Sequence, residues 1–394
     1  MAIEDVDHAY EKELELHLKS VLKFEPQILF SLHDIILKAK GAYPSLVKKI
    51  LDREHIPYVI DKAELKQQNY STIFSAAHPA DYDWRFTDES VKNIVEQLKS
   101  LISGGDSIAL FGVESLYKYC ILNNLKAVLF NKSKSLLNDL KKTGYNDGLV
   151  EHDLFYSLNK YNNYFKVVIA DPPWYQEFYT AFIARSAEML LPGGYLFLSV
   201  LPVYTRPTAA NDRDIIKSLL LNLGFTLIKE YNSFFRYETP SFENLSLKEE
   251  GINLTEWRTG DLWIFQRNEN LIVNIQTPKP ENEPDWVEFI IRDKKIKVRK
   301  NHQSKNSIFF YEHVSPTSKV LADVSRRSPL RSFIDVWTSD NYAFKVSRTS
   351  PLIECLLIFE QSNSLDQVKI FLAKKENVTQ EEAKNLLNFL NLLL

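Results

Sequence analysis

Residues Phe165 to Phe178 read FKVVIADPPWYQEF. The run KVVIA is apolar without interruption and has the length of one strand, which suits a sheet covered on both faces. Asp171 ends the run. Pro172 and Pro173 forbid a helix there and stiffen the turn. Trp174 and Tyr175 complete the corner. In an open parallel sheet, ligands lie outside the carboxyl ends of the strands. The corner would therefore offer a carboxylate, proline carbonyls and an aromatic face to a ligand. The plainer reading is a turn that ends a strand and places Trp174 in the core.

Outward from this stretch the sequence alternates. A helix over 88–102, with Thr87 as its cap, precedes SIALFG. SLYKYCILNN leads to KAVLFN, and SKSLLNDLKKTG to GLVEHDLF. Beyond the corner come the helix YQEFYTAFIARSAEMLL, the strand GGYLFLSVLP, the helix NDRDIIKSLLLNLGF and the strand TLIKEYNSFF. Apolar strands alternating with amphipathic helices predict an α/β fold, a Rossmann-like parallel sheet covered on both faces. The last strand, GDLWIFQR, follows without a helix and should enter antiparallel. Before it lies a long excursion. There Phe234, Phe235, Tyr237 and Phe242 would either cover a planar substrate or fill a small core, and Arg258 falls at a sheet end.

At 394 residues the chain exceeds one ordinary domain. Three parts are expected: an N-terminal helical module over 1–65, the α/β domain over 66–270, and a C-terminal α+β domain over 271–394. Three short helices followed by YVIDKAEL suggest a winged helix, a fold used for nucleic acid and for docking alike. DYDWRFT, from Asp81 to Thr87, reads as an aromatic linker or as a lid. The proline-rich TPKPENEPDW marks the second boundary, and NVTQEEA holds a capping box from Thr379 to Glu382.

A net charge of −3 excludes a global basic field for nucleic acid, though not a local one. IRDKKIKVRKN would place Lys295, Lys297 and Arg299 on one face of a strand. That face would either track phosphates or protect a sheet edge, and Arg326 to Arg331 add further charge. Two distant cysteines and no paired histidine spacing leave no metal site to propose. With 11 glycines and no GxxxxGK(S/T), a phosphate loop is not expected. No export signal and no apolar run of about 18 residues stand out. A cytoplasmic protein without membrane contact is the expectation.

DPPW behind an apolar strand, LLPGGYLFLS one helix later, and a terminal strand pair ending in GDLWIFQR resemble the catalytic half of the S-adenosylmethionine-dependent methyltransferases. The pattern is similar to their (D/N/S)-P-P-(Y/F/W) group, which modifies amino nitrogens. That group includes adenine-N6 and cytosine-N4 nucleic-acid enzymes and some protein-lysine ones. The resemblance covers 100–268, about two-fifths of the chain. It implies S-adenosylmethionine as cofactor and an amino-group acceptor on nucleic acid, protein or a small molecule. Asp171 and the Pro172 carbonyl would orient the amine, and Trp174 and Tyr175 would shape the acceptor site.

The cofactor side departs from the pattern. The first turn, LFGVESLY, has the single glycine Gly112, with Glu114 where a small residue is usual; its carboxylate could hold the cofactor's amino group. Asn131 replaces the usual acid after the second strand, and Asp153 would face the adenine. Two alternatives follow. Branched-polyamine synthases are similar in domain order and transfer aminopropyl groups, but their first turn is rich in acids. A degenerate methyltransferase fold could also serve for binding alone.

Overall fold

The computed structural model describes residues 3–23, 29–60, 74–268, 275–278, 284–300, 308–316, 318–321, 323–326, 328–376 and 378–394. Contacts divide the chain into two compact units. The first comprises Met1–Gln67, Trp84–Thr239 and Ile252–Pro280; the second comprises Gln68–Asp83, Pro240–Gly251 and Glu281–Leu394. The units follow contacts rather than the three sequence boundaries. The N-terminal helices group with the α/β sheet, and two short inner segments group with the C-terminal part.

In the first unit, α1 (Ile3–Lys23), α2 (Leu32–Lys38) and α3 (Pro44–Arg53) bury Leu14, Leu18, Ile35, Ile36, Val47 and Leu51. Ser31 caps α2 through its hydroxyl and bridges to Val59. The rest of the expected wing, residues 61–65, lies outside the described residues.

The main sheet contains β1 (Arg85–Phe86), β2 (Ser107–Phe111), β3 (Lys126–Asn131), β4 (Leu149–Glu151), β5 (Phe165–Ala170), β6 (Leu190–Val200), β7 (Phe225–Glu238) and β8 (Glu256–Arg267). Their order across the sheet is β1-β7-β8-β6-β5-β2-β3-β4. The run β4-β3-β2-β5-β6 is parallel, and β8 enters antiparallel between β6 and β7. The intervening helices are α4 (Asp88–Lys99), α5 (Glu114–Leu122), α6 (Lys134–Lys142), α7 (Gln176–Met189) and α8 (Ala209–Asn222). β2 is buried throughout and β5 everywhere but Lys166, as continuous apolar runs inside a doubly covered sheet require. Thr87 caps α4 as expected, its hydroxyl accepting the Ser90 N–H at 3.3 Å.

One expectation is corrected here. Much of the supposed excursion is strand. β7 runs on to Glu238 and β8 begins at Glu256, so Phe235 and Tyr237 are sheet residues, buried like Phe242.

The second unit holds α9 (Ser241–Glu249) and β9 (Trp286–Ile291), β10 (Lys294–Arg299), β11 (Tyr311–His313), β12 (Val336–Thr338) and β13 (Ala343–Val346). These strands form an antiparallel sheet in the order β11-β13-β12-β10-β9. α10 (Ser350–Ser362), α11 (Leu365–Lys374) and α12 (Gln380–Leu393) share its core, centred on Phe309, Phe344, Phe359 and Phe389. Thr379 caps α12 through the Glu382 N–H, as its sequence predicts. Arg292 and Asp293 turn β9 into β10 with φ of 48° and 67°, the left-handed pair that a tight hairpin needs.

The face carrying Lys295 and Lys297 points inward. Both are buried, at 3% and 8% exposure. Lys295 meets Asp81 at 3.1 Å, Lys297 also pairs with Asp81, and Glu288 lies 3.4 Å from Lys297. Burial works to raise the Asp81 carboxyl, but the two ammonium groups hold it below the carboxylate range. Beside it, His78 is wholly enclosed, and burial lowers it to about 3. Its Nδ1 accepts the Ala80 N–H, so Nε2 carries the hydrogen donated to the Trp337 carbonyl. Arg299 lies against Asp335, and Arg331 is buried over the Tyr82 and Trp337 rings. Arg327 lies outside the described residues. The anticipated basic ribbon is thus an internal ion cluster, because an acid from far back in the chain folds against it.

Candidate active site

The parallel strands β2, β3, β4 and β5 present their carboxyl ends on one edge. There the sheet gathers Gly112, Asn131, Asp153 and Asp171, each just beyond or at a strand end. Gly112 has φ of +69°, and a Cβ on it would stand 2.8 Å from the Asp171 carbonyl oxygen. Only glycine lets the two strand ends approach so closely. Glu114, at the start of α5, is buried, and the Arg85 guanidinium is 3.9 Å away. Asn131 Oδ1 accepts the Ser133 N–H at 2.8 Å, and Asp153 Oδ1 accepts the Phe155 N–H at 3.1 Å. Each thus has one oxygen engaged in its own turn, while the Asn131 amide nitrogen and the second Asp153 oxygen are not used in those bonds.

At the corner itself, the Asp171 N–H donates to Phe111 O at 3.0 Å, tying β5 to β2. Pro173 O accepts the Tyr175 N–H at 2.6 Å, which closes the turn, while the Pro172 carbonyl has no donor among the described residues. Arg206 pins the turn from outside. It donates to the Trp174 carbonyl at 2.5 Å, lies 5.8 Å from the Tyr175 ring and pairs with Asp212 at 2.8 Å.

The Asp171 carboxylate meets groups from three other strands. Tyr237 of β7 donates its hydroxyl to Oδ1 at 2.8 Å, and Ser199 of β6 lies 2.8 Å from the same phenol oxygen. On β8, Gly260 makes room: a Cβ there would come within 3.2 Å of the Tyr237 ring and hydroxyl. Burial pushes the Asp171 carboxyl up from 3.8 to about 7, against the Ser199 and Tyr237 hydroxyls and the Arg258 charge, which hold it down. Burial and the neighbouring Asp171 raise Tyr237 well above the ordinary phenol range, so it stays a donor. A carboxyl raised to about 7, next to a carbonyl with no donor among the described residues, can accept the N–H groups of an amine and take up its proton.

Trp174 does not face outward as its sequence position suggests. It is 5% exposed, and the Arg258 guanidinium covers its ring at 3.8 Å from the centroid. The same guanidinium lies 4.4 Å from the Trp84 ring and 5.7 Å from Tyr237. The aromatic linker thus delivers Trp84 to the site. Sequence reasoning weighed Tyr237 only as a stacking or core ring, Arg258 only as a strand-end residue and Trp84 only as part of an aromatic linker or lid, and it missed Ser199 and Arg206. Ser199 carried a signal, being the lone hydroxyl in the apolar run LFLSV. Arg206 carried none.

No protein-family model and no curated protein sequence matches this chain. Among solved structures, the branched-chain polyamine synthase of Thermus thermophilus, in complex with N4-aminopropylspermidine and 5′-methylthioadenosine, is similar with a TM-score of 0.51 and 12% identity. That match covers 71% of this chain and 94% of the synthase. A mutein of the same enzyme matches with a TM-score of 0.52 and 13% identity, over 70% and 94%. A Galdieria sulphuraria protein assigned as a sarcosine dimethylglycine methyltransferase aligns at 9% identity and a TM-score of 0.33, over 47% of this chain and 85% of that one. The chain has a Rossmann-like α/β sheet, a fold it shares with the polyamine synthase, and a second, antiparallel sheet with helices.

Proposed function

We propose that the protein is an S-adenosylmethionine-dependent N-methyltransferase acting on an amino group. The observation that carries this reading is the Asp171 carboxylate at the end of β5, gripped by Tyr237 and followed by the Pro172 carbonyl, which has no donor among the described residues. Carboxylate and carbonyl each accept one N–H, which aims the nitrogen lone pair away from both. As the nitrogen acquires positive charge, the fixed carboxylate stabilises it and then accepts its proton.

The chemistry of the residues at the strand ends supports this cofactor. The missing Cβ of Gly112 lets the end of β2 close against the Asp171 carbonyl, and Asn131 and Asp153 keep polar atoms that would serve ribose and base. When bound, the sulfonium supplies an electrophilic carbon. Glu114, shared with Arg85, would hold its amino group.

A second reading, aminopropyl transfer, draws support from the Thermus polyamine synthase, whose fold this chain matches over 94% of that enzyme's length. Calorimetry with S-adenosylmethionine, decarboxylated S-adenosylmethionine and 5′-methylthioadenosine separates the readings. Methyl transfer expects S-adenosylmethionine to bind at least tenfold tighter than the decarboxylated form. The reverse order favours aminopropyl transfer. Heats absent for all three ligands would defeat both and leave a binding module.

A further inference from the structure

Arg258 sits where an acceptor would be sought. Its guanidinium is ringed by Trp174 at 3.8 Å, Trp84 at 4.4 Å and Tyr237 at 5.7 Å, with the Asp171 carboxylate as an electrostatic neighbour. Aromatic faces around a point next to a carboxylate are the surroundings that recognise an organic cation. The chain fills this cage with a cation of its own. β8 holds Arg258 two residues before Gly260, and Trp174 is held by the pinned turn at the end of β5, so Arg258 and Trp174 stand on one sheet with β6 between their strands.

We propose that Arg258 is the specificity-determining residue of the acceptor site, rejecting cationic polyamines in favour of an uncharged amine carried on a planar ring. The inference rests on the amino-group transfer reading and narrows its substrate. A second cation entering beside Asp171 would have to displace Arg258 from three rings or lie against it at like charge. An amine conjugated to a ring arrives neutral at pH 7, and its face can stack on the planar guanidinium as bases do on arginine. Asp171 then receives only the charge that develops during transfer.

The test compares two probes, spermidine (a trication) and 2-aminopurine (an uncharged, fluorescent ring amine), on the full-length protein and on Arg258→Met and Arg258→Lys. Met keeps the length of the stem and removes the charge; Lys keeps the charge. Wild-type protein should quench 2-aminopurine and show no spermidine heat below millimolar concentration. Arg258→Met should lose at least tenfold in 2-aminopurine affinity and gain at least tenfold for spermidine, whereas Arg258→Lys should still exclude spermidine. Micromolar spermidine binding to the wild type would overturn the proposal whether or not the variants fold. So would an Arg258→Met protein of unchanged melting temperature that treats both probes as the wild type does. Donor calorimetry keeps the outcomes apart. Spermidine binding alongside a tight adenosyl ligand removes the selection and leaves transfer standing. No adenosyl binding with the expected probe pattern removes transfer and leaves the filled cage.

Discussion

Asp171 concentrates the chemistry of the site in one side chain, and its variants are the most direct probes. Asp171→Ala should abolish transfer to within background while leaving adenosyl-ligand affinity within a few-fold, because in the proposed reaction the carboxylate holds the acceptor amine. Asp171→Asn should keep part of the rate: its amide oxygen still accepts an N–H but lacks the charge, a loss of about 3 kcal/mol for a preorganised contact. An unchanged rate in Asp171→Ala would make the corner structural. The pH dependence follows from a carboxyl raised to about 7, first by burial. The ionised form is the acceptor, so the rate should climb through pH 7. Tyr237→Phe removes a hydrogen bond that holds the carboxyl down, so this limb should move to higher pH, measured as a pH–rate profile. An unmoved limb would assign it to another group. Stability runs the opposite way. The folded carboxyl binds its proton more tightly than the unfolded one, so its contribution is complete below about pH 4 and is lost as pH rises toward 7.

At the scale of elements, the site depends on two strand ends that nearly touch. Gly112 follows β2 with a left-handed φ, and its missing Cβ leaves room for the Asp171 carbonyl. Gly112→Ala should therefore cost about 1–2 kcal/mol from the left-handed backbone alone. The collision with backbone should add to that and splay β2 from β5. Expected are a lower melting temperature and a weakened adenosyl ligand, whereas an alanine variant with wild-type melting and affinity would show that the ends can separate freely. The helices between these strands were legible beforehand. Thr87 and Thr379 stand one residue before their helices, and both hydroxyls cap as read. The lengths of β7 and β8 were not legible. The alternation breaks between Tyr231 and Phe235, where the β7–β8 register shifts, and the run Phe235 to Glu238 that resumes it is only four residues long. Irregular pairing changes which side chains point to which face, so period-2 reading fails there.

For the whole molecule, each unit has its own core, yet neither is one continuous stretch of chain. Residues 68–83, far from the C-terminal sheet in sequence, supply its second unit with His78 and Asp81. Asp81→Ala would leave Lys295 and Lys297 buried, with Glu288 at 3.9 and 3.4 Å from them and the charge of Asp83 acting on Lys295. Breaking a buried ion pair from one side costs about 3–5 kcal/mol, and the low end applies because Asp81 keeps 20% side-chain exposure. Thermal unfolding should fall by several degrees with the adenosyl site unaffected at temperatures below the transition. If Asp81→Ala melted as the wild type does, the lysines would have found water, and the cluster would count as surface charge. Among the described residues no helix is long and apolar enough to cross a membrane.

Local chemistry decided what the sequence could announce. A buried strand ending in Asp171, the rigid Pro172–Pro173 turn, the alternation of strands and helices, and the antiparallel last strand all follow from neighbours within a few residues. Backbone propensity, capping and burial period act over that range. The tertiary structure alone decided which residues gather around the Asp171–Tyr175 corner. Ser199, Tyr237 and Arg258 come from three further strands, Trp84 from the segment ahead of β1, and Arg206 from the loop ahead of α8. Their separations along the chain carry no pattern, since only the order of strands across the sheet brings them together. The same holds for Lys295 and Lys297. Their alternation was readable as one face of a strand, but whether that face met water or Asp81 depended on a distant segment folding back against it.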